Sequence, residues 1–173
     1  MEHSFAYIAG VAVGILLVAV GMYFFGRKAH TDGARRPKFD ERQELIRGRG
    51  YKYAFFALLV YLVAYGVIGY TWFAPLAGAF LGLVIGVGVY ACYTIWQDAY
   101  FALNEKRRMY ILLDALIFVI NAAAGVSNVL EGRVMENGVV TGGGSLNLMC
   151  AVLFLVVLAA LLSKEIASRR EED

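Results

Sequence analysis

Five apolar runs constrain this chain more than anything else in it: Phe5–Phe25, Ala54–Phe73, Ala77–Trp96, Met109–Gly125 and Leu146–Leu162. An α-helix rises about 1.5 Å per residue, so runs of about 17–25 residues cross the roughly 30 Å of hydrocarbon in a bilayer. All five are long enough, and only one carries a charge, Asp114. The expected fold is therefore all-α: a polytopic membrane helix bundle of five transmembrane helices in a single domain. Composition agrees, with 60% hydrophobic and 17% charged residues, against about 25% charged in a soluble domain.

The first run reads as an uncleaved span. It opens on Met-Glu-His-Ser and is followed by Arg27-Lys28, whereas a signal peptide starts basic and has a shorter core. Orientation follows from the cations. Two loops and the tail on one side hold fifteen of the sixteen Lys and Arg, leaving Arg133 alone on the other. The positive-inside rule then predicts the N-terminus outside, and the basic loops and the C-terminus in the cytoplasm. A net charge of +2 gives no field that would attract nucleic acid.

The predicted cytoplasmic segment, residues 27–53, leads into the second span. Asp40 and Gln43 have the spacing of a capping box, so a short helix is expected from residue 40. Glu41 falls in its first turn, where the helix dipole favours an anion, and Glu44 and Arg47 are an i, i+3 pair. Gly48 and Gly50 weaken the helix and suggest a hinge, and Tyr51, Lys52 and Tyr53 form an interfacial anchor. The second water-side loop is Gln97–Arg108. These stretches predict a docking face built from Asp40, Glu41, Arg42, Gln43, Arg47, Arg49 and Lys52, against which Asp98, Tyr100 and Asn104 dock. Solvated charges in the headgroup region are the alternative.

Within the spans, Asp114 stands about 8 Å past Met109. Asn121 and Asn128 follow it at spacings of seven, on one helix stripe. An intramembrane carboxylate marks an ion or proton pathway by default. It also serves as an anchor if Arg107, Arg108, Tyr90 or Tyr61 reaches it. Asn121 with Tyr65, and Asn128 with Asn147, match in depth as interhelical hydrogen bonds; alternatively, Asp114, Asn121, Tyr61 and Tyr65 line a path. Gly10 and Gly14 on the first span, and Gly78, Gly82 and Gly86 on the third, give small-residue faces suited to helix packing. Cys92 and Cys150 differ too much in depth to be bridged.

FDERQELIRGRGYKYAFF (Phe39–Phe56) and DAYFALN (Asp98–Asn104) resemble a family of small multi-span membrane proteins of Gram-positive bacteria whose activity is uncharacterised. The resemblance covers roughly the second and third spans with their cytoplasmic flanks. It implies a bacterial plasma membrane and carries over no catalytic residue.

Catalytic patterns are absent. Asp32-Gly33-Ala34-Arg35 is half of the CDP-alcohol phosphotransferase motif, without the further aspartates. No CxxC, HExxH, P-loop or GxSxG occurs, and no metal or cofactor is expected. The first expectation is a non-enzymatic docking, accessory or regulatory subunit acting through its basic face. Its partners would be the bilayer, anionic headgroups, and a second copy or another membrane protein. The alternative is a small proton- or cation-coupled transporter or channel using the polar stripe of the fourth span.

Overall fold

The computed structural model describes Leu16, residues 29–32 and residues 36–172. Apart from Leu16, the Phe5–Phe25 run, with Gly10 and Gly14, lies outside the described residues. What is described is almost wholly helical. Helix α1 spans Glu41–Val67, α2 Pro75–Trp96, α3 Arg107–Leu130 and α4 Gly142–Glu172. All four are long and apolar enough to cross a membrane.

The helices keep the expected order but move their ends. Asp40 caps α1 with a reciprocal box, its Oδ1 accepting from the Gln43 amide at 2.7 Å while Gln43 Oε1 accepts from the Asp40 amide at 3.3 Å. The helix then runs through Gly48 and Gly50 unbroken for 27 residues, so no hinge forms there. Gly50 lies against Tyr90, Tyr93 and Thr94 of α2: contact with a neighbour compensates for a weak local preference. At about 40 Å, α1 is longer than the roughly 30 Å of a bilayer's hydrocarbon, and its polar start and apolar run form one continuous helix. It ends at Val67, where a single 3₁₀ turn, Gly69–Thr71, takes over.

Helix α4 is 31 residues long rather than 17. It begins at Gly142, so Gly142-Gly143-Gly144 is its first turn. Before it, Met135–Glu136 (β1) and Val139–Val140 (β2) form a small antiparallel hairpin. Asn137 (φ 51°) and Gly138 (φ 79°) turn it, the left-handed pair that a two-residue hairpin loop requires. Val140 donates to the Trp72 carbonyl at 2.8 Å and accepts from the Ala74 amide at 2.9 Å. The hairpin thereby ties the α1–α2 connection to the α3–α4 connection.

The main packing contacts join α1 to α2, α2 to α4, and α4 to α3. The order across the molecule is α1–α2–α4–α3. Its buried centre lies between α2 and α4, where Ala91 and Ile95 meet Val157, Ala160 and Leu161.

Two tyrosines and two of three glycines explain the α1–α2 pair. Tyr61 and Tyr65 are four apart on α1, and Gly78, Gly82 and Gly86 are four apart on α2. A Cβ on Gly78 would overlap the Tyr65 ring, and one on Gly82 would meet Tyr61 at 2.9 Å. The rings fill the glycine notches, and the Tyr61 hydroxyl donates to the Gly78 carbonyl at 2.5 Å. Tyr90 continues the stripe, stacked on Tyr51 with centroids 4.5 Å apart. This small-residue face is therefore occupied by α1, within the chain.

Candidate functional site

Charge and hydrogen bonding concentrate on the basic side, where the α2–α3 loop meets the start of α1 and the segment before it. Asn104 is at the centre and is buried. Its Oδ1 accepts from the Lys38 amide at 2.9 Å, and its Nδ2 donates to Asp32 Oδ1 at 3.2 Å and to the Arg36 carbonyl at 3.1 Å. Its own carbonyl accepts from the Thr31 amide at 2.8 Å, while the Leu103 amide donates to the Lys38 carbonyl at 2.9 Å. Lys106 N bonds the Ala29 carbonyl at 2.7 Å, and His30 pairs with Glu105 as a bridge. One side chain thus satisfies a stretch of backbone that has no regular partner of its own.

Gln43 repeats the device from α1. It is buried, and its Nε2 donates to the carbonyls of Asp98 (3.0 Å) and Phe101 (3.1 Å). Arg42 donates to the Gln97 carbonyl at 3.3 Å, and Arg47 reaches the Ala99 carbonyl at 3.5 Å. The Arg47 guanidinium lies over the Phe39 ring, 3.9 Å from its centroid, and 5.7 Å from that of Tyr90. The predicted face is therefore divided. Asp40, Arg42, Gln43, Arg47 and Asn104 are engaged within the chain. Glu41, Arg49 and Lys52 line an outward recess of about 450 Å³ together with Glu44, Leu45 and Gly48.

Asp98 joins the knot through its backbone only. Its φ of 56°, tolerable for Asp, sends the carboxylate the other way, to Lys164 of α4 at 2.9 Å. Lys164 also donates to the Trp96 carbonyl at 3.3 Å. Lys164 was not among the expected residues. The signal was available, since both groups stand just beyond the same ends of their spans. Tyr100 packs against the α2–α4 centre. Burial, and then the carboxylates of Asp114 and Glu105, push its phenol up to about 12, so it keeps its proton at any ordinary pH.

The intramembrane polar groups do not converge. Asp114 is buried on α3, and its Oδ2 has no hydrogen-bond partner among the described residues; neither Arg107, Arg108, Tyr61 nor Tyr90 bonds it. Asn121 donates to the Ile117 carbonyl of its own helix at 2.9 Å rather than to Tyr65. Tyr65 donates to the Phe73 carbonyl at 3.3 Å. The physical reason is the packing order: α1 and α3 stand at opposite ends of it. Asn128 does bridge helices, donating to the Gly144 carbonyl of α4 at 3.1 Å, and not to Asn147. Both cysteines are free, and no group of three His, Cys, Asp or Glu among the described residues could hold a metal ion.

No protein family, no curated protein and no solved structure matches the chain. The resemblance carried by Phe39–Phe56 and Asp98–Asn104 stands on those stretches alone.

Proposed function

We propose that this is a non-enzymatic accessory protein of a bacterial plasma membrane, with five spans and its basic side in the cytoplasm. It acts by presenting the water-side extension of α1 to another membrane protein. The observation that carries this reading is the two-sidedness of that extension. Gln43, Ile46 and Gly50 face inward and are buried, Gln43 held by the α2–α3 loop and Gly50 against α2. Glu41, Glu44, Arg49 and Lys52 face outward around the exposed Leu45, and none of the four makes an ion pair among the described residues. A helix held rigid on one face, with an apolar centre and a mixed-charge rim on the other, suits recognition of a partner helix.

A photo-crosslinking residue placed at Leu45 in living cells tests the proposal. One discrete adduct is expected, lost in an Arg49→Glu/Lys52→Glu background, with none from Val119 on the lipid-facing side of α3. No adduct from Leu45 under any growth condition would sink it.

A second reading rests on Asp114, a buried carboxylate with an unbonded oxygen in a membrane helix, the kind of group that binds a proton or cation in transporters. Flux into liposomes, measured for wild type beside Asp114→Asn, decides it: flux abolished by the substitution would favour transport over docking.

A further inference from the structure

Helices α3 and α4 part company at their basic ends, leaving a groove of about 520 Å³. Its rim is cationic, with Arg107 and Arg108 from α3 and Arg169 from α4; its walls are apolar, with Ile111 from α3 and Leu162 from α4. One carboxylate shares the rim, Glu165, and it is paired with Arg169 at 3.3 Å. That leaves Arg107 and Arg108 without an ion pair among the described residues. Both sit in the first turn of α3, which has no acidic residue and no side-chain cap, the end of a helix where positive charge is least favoured. Two cations are therefore held where the local field opposes them, Arg107 with its guanidinium 5.3 Å from the Phe101 ring centroid, at the rim of the apolar walls.

We infer that this groove holds one anionic phospholipid, its phosphate between Arg107, Arg108 and Arg169 and an acyl chain along Ile111 and Leu162. Charge and depth both favour a lipid over a soluble anion. The cations lie at the level where headgroups lie, and the apolar walls continue below them into the span. The site is distinct from the outward face of α1. It rests on the membrane reading but not on the docking partner.

The test uses the full chain, delipidated in mild detergent and titrated with phosphatidylglycerol or phosphatidylcholine under native mass spectrometry. One phosphatidylglycerol is expected to bind in preference to phosphatidylcholine. Arg107→Gln/Arg108→Gln should weaken it about tenfold or more, on the scale of two headgroup-level cations. Arg107→Lys/Arg108→Lys should restore most of the binding, which separates lost charge from lost fold. Ile111→Trp, which fills the groove without touching its charge, should also displace the lipid. Arg36→Gln/Lys38→Gln, an equal loss of charge elsewhere on the same side, should not.

Equal binding of the two lipids would overturn the inference, as would equal weakening by the Arg36/Lys38 pair. So would full competition by inorganic phosphate with Ile111→Trp neutral, which would mark a free-anion site. A chain that left the membrane fraction without detergent would refute the membrane reading itself, a different result from any of these.

Discussion

Single side chains do most of the joining on the basic side. Asn104 holds groups 66 to 72 residues away in sequence, so Asn104→Ala removes three hydrogen bonds made by one buried side chain. The expected cost is about 1–3 kcal/mol, each bond having a net value of about 0.5–1.5 kcal/mol. The readout is a lower thermal midpoint in detergent, with faster tryptic cleavage after Lys38 as the segment opens. Asp98→Asn should cost under about 1 kcal/mol: Asp98 is largely exposed, so its bridge to Lys164 is screened, and Asn tolerates the same positive φ. Tyr100 gives an alkaline signature. Its folded pKa of about 12 lies above the ordinary 10.0, so its contribution is whole below pH 10 and is lost as pH rises through the folded value. Comparison with Tyr100→Phe checks this, since the phenylalanine variant should lose less stability between pH 10 and 12. None of these partners could be read from spacing. Asn104 and Gln43 look like ordinary polar loop and cap residues until the backbone that they satisfy is brought to them.

At the scale of the elements, the α1–α2 interface discriminates between glycines that look alike in sequence. Gly78→Ala drives a methyl into the Tyr65 ring and should separate the helices, at a cost of about 1–3 kcal/mol for overpacking. Gly86→Ala should be nearly silent, its nearest neighbour being the Ala54 carbonyl at 3.9 Å. Thermal unfolding of the two variants by tryptophan fluorescence separates them. The stripe of glycines was legible in the sequence because period four is visible there; the tyrosines that fill it were legible only as mid-span aromatics. Helix ends were harder. Gly48 and Gly50 argue locally for a break that packing overrides. Asn137-Gly138 is a strong hairpin signal, but the strands that it joins are two residues each and too short for alternation to show.

For the whole molecule, the apolar runs gave the four described helices in order, because each run is long enough to cross hydrocarbon as a helix, although α1 and α4 continue past their runs. Their lateral order was not legible. In lipid no hydrophobic force ranks one apolar face above another, so order is decided by shape and by the loops. The packing α1–α2–α4–α3 makes a direct prediction. In a background with Cys92 and Cys150 replaced by Ala, Ala91→Cys with Ala160→Cys should cross-link α2 to α4 under mild oxidation. Leu59→Cys with Val119→Cys, across the two outer helices, should not. Gel mobility under non-reducing conditions reads both.

The unbroken course of α1 has a mechanical corollary. Its upper turns are clasped at Gln43, and its lower turns are notched into α2 by two rings. A sideways pull on Leu45 cannot be absorbed by bending midway. It would tilt the entire rod and turn the Tyr61 and Tyr65 teeth in their sockets, so that a push at one end of the helix would be felt as torque at the far notches against α2.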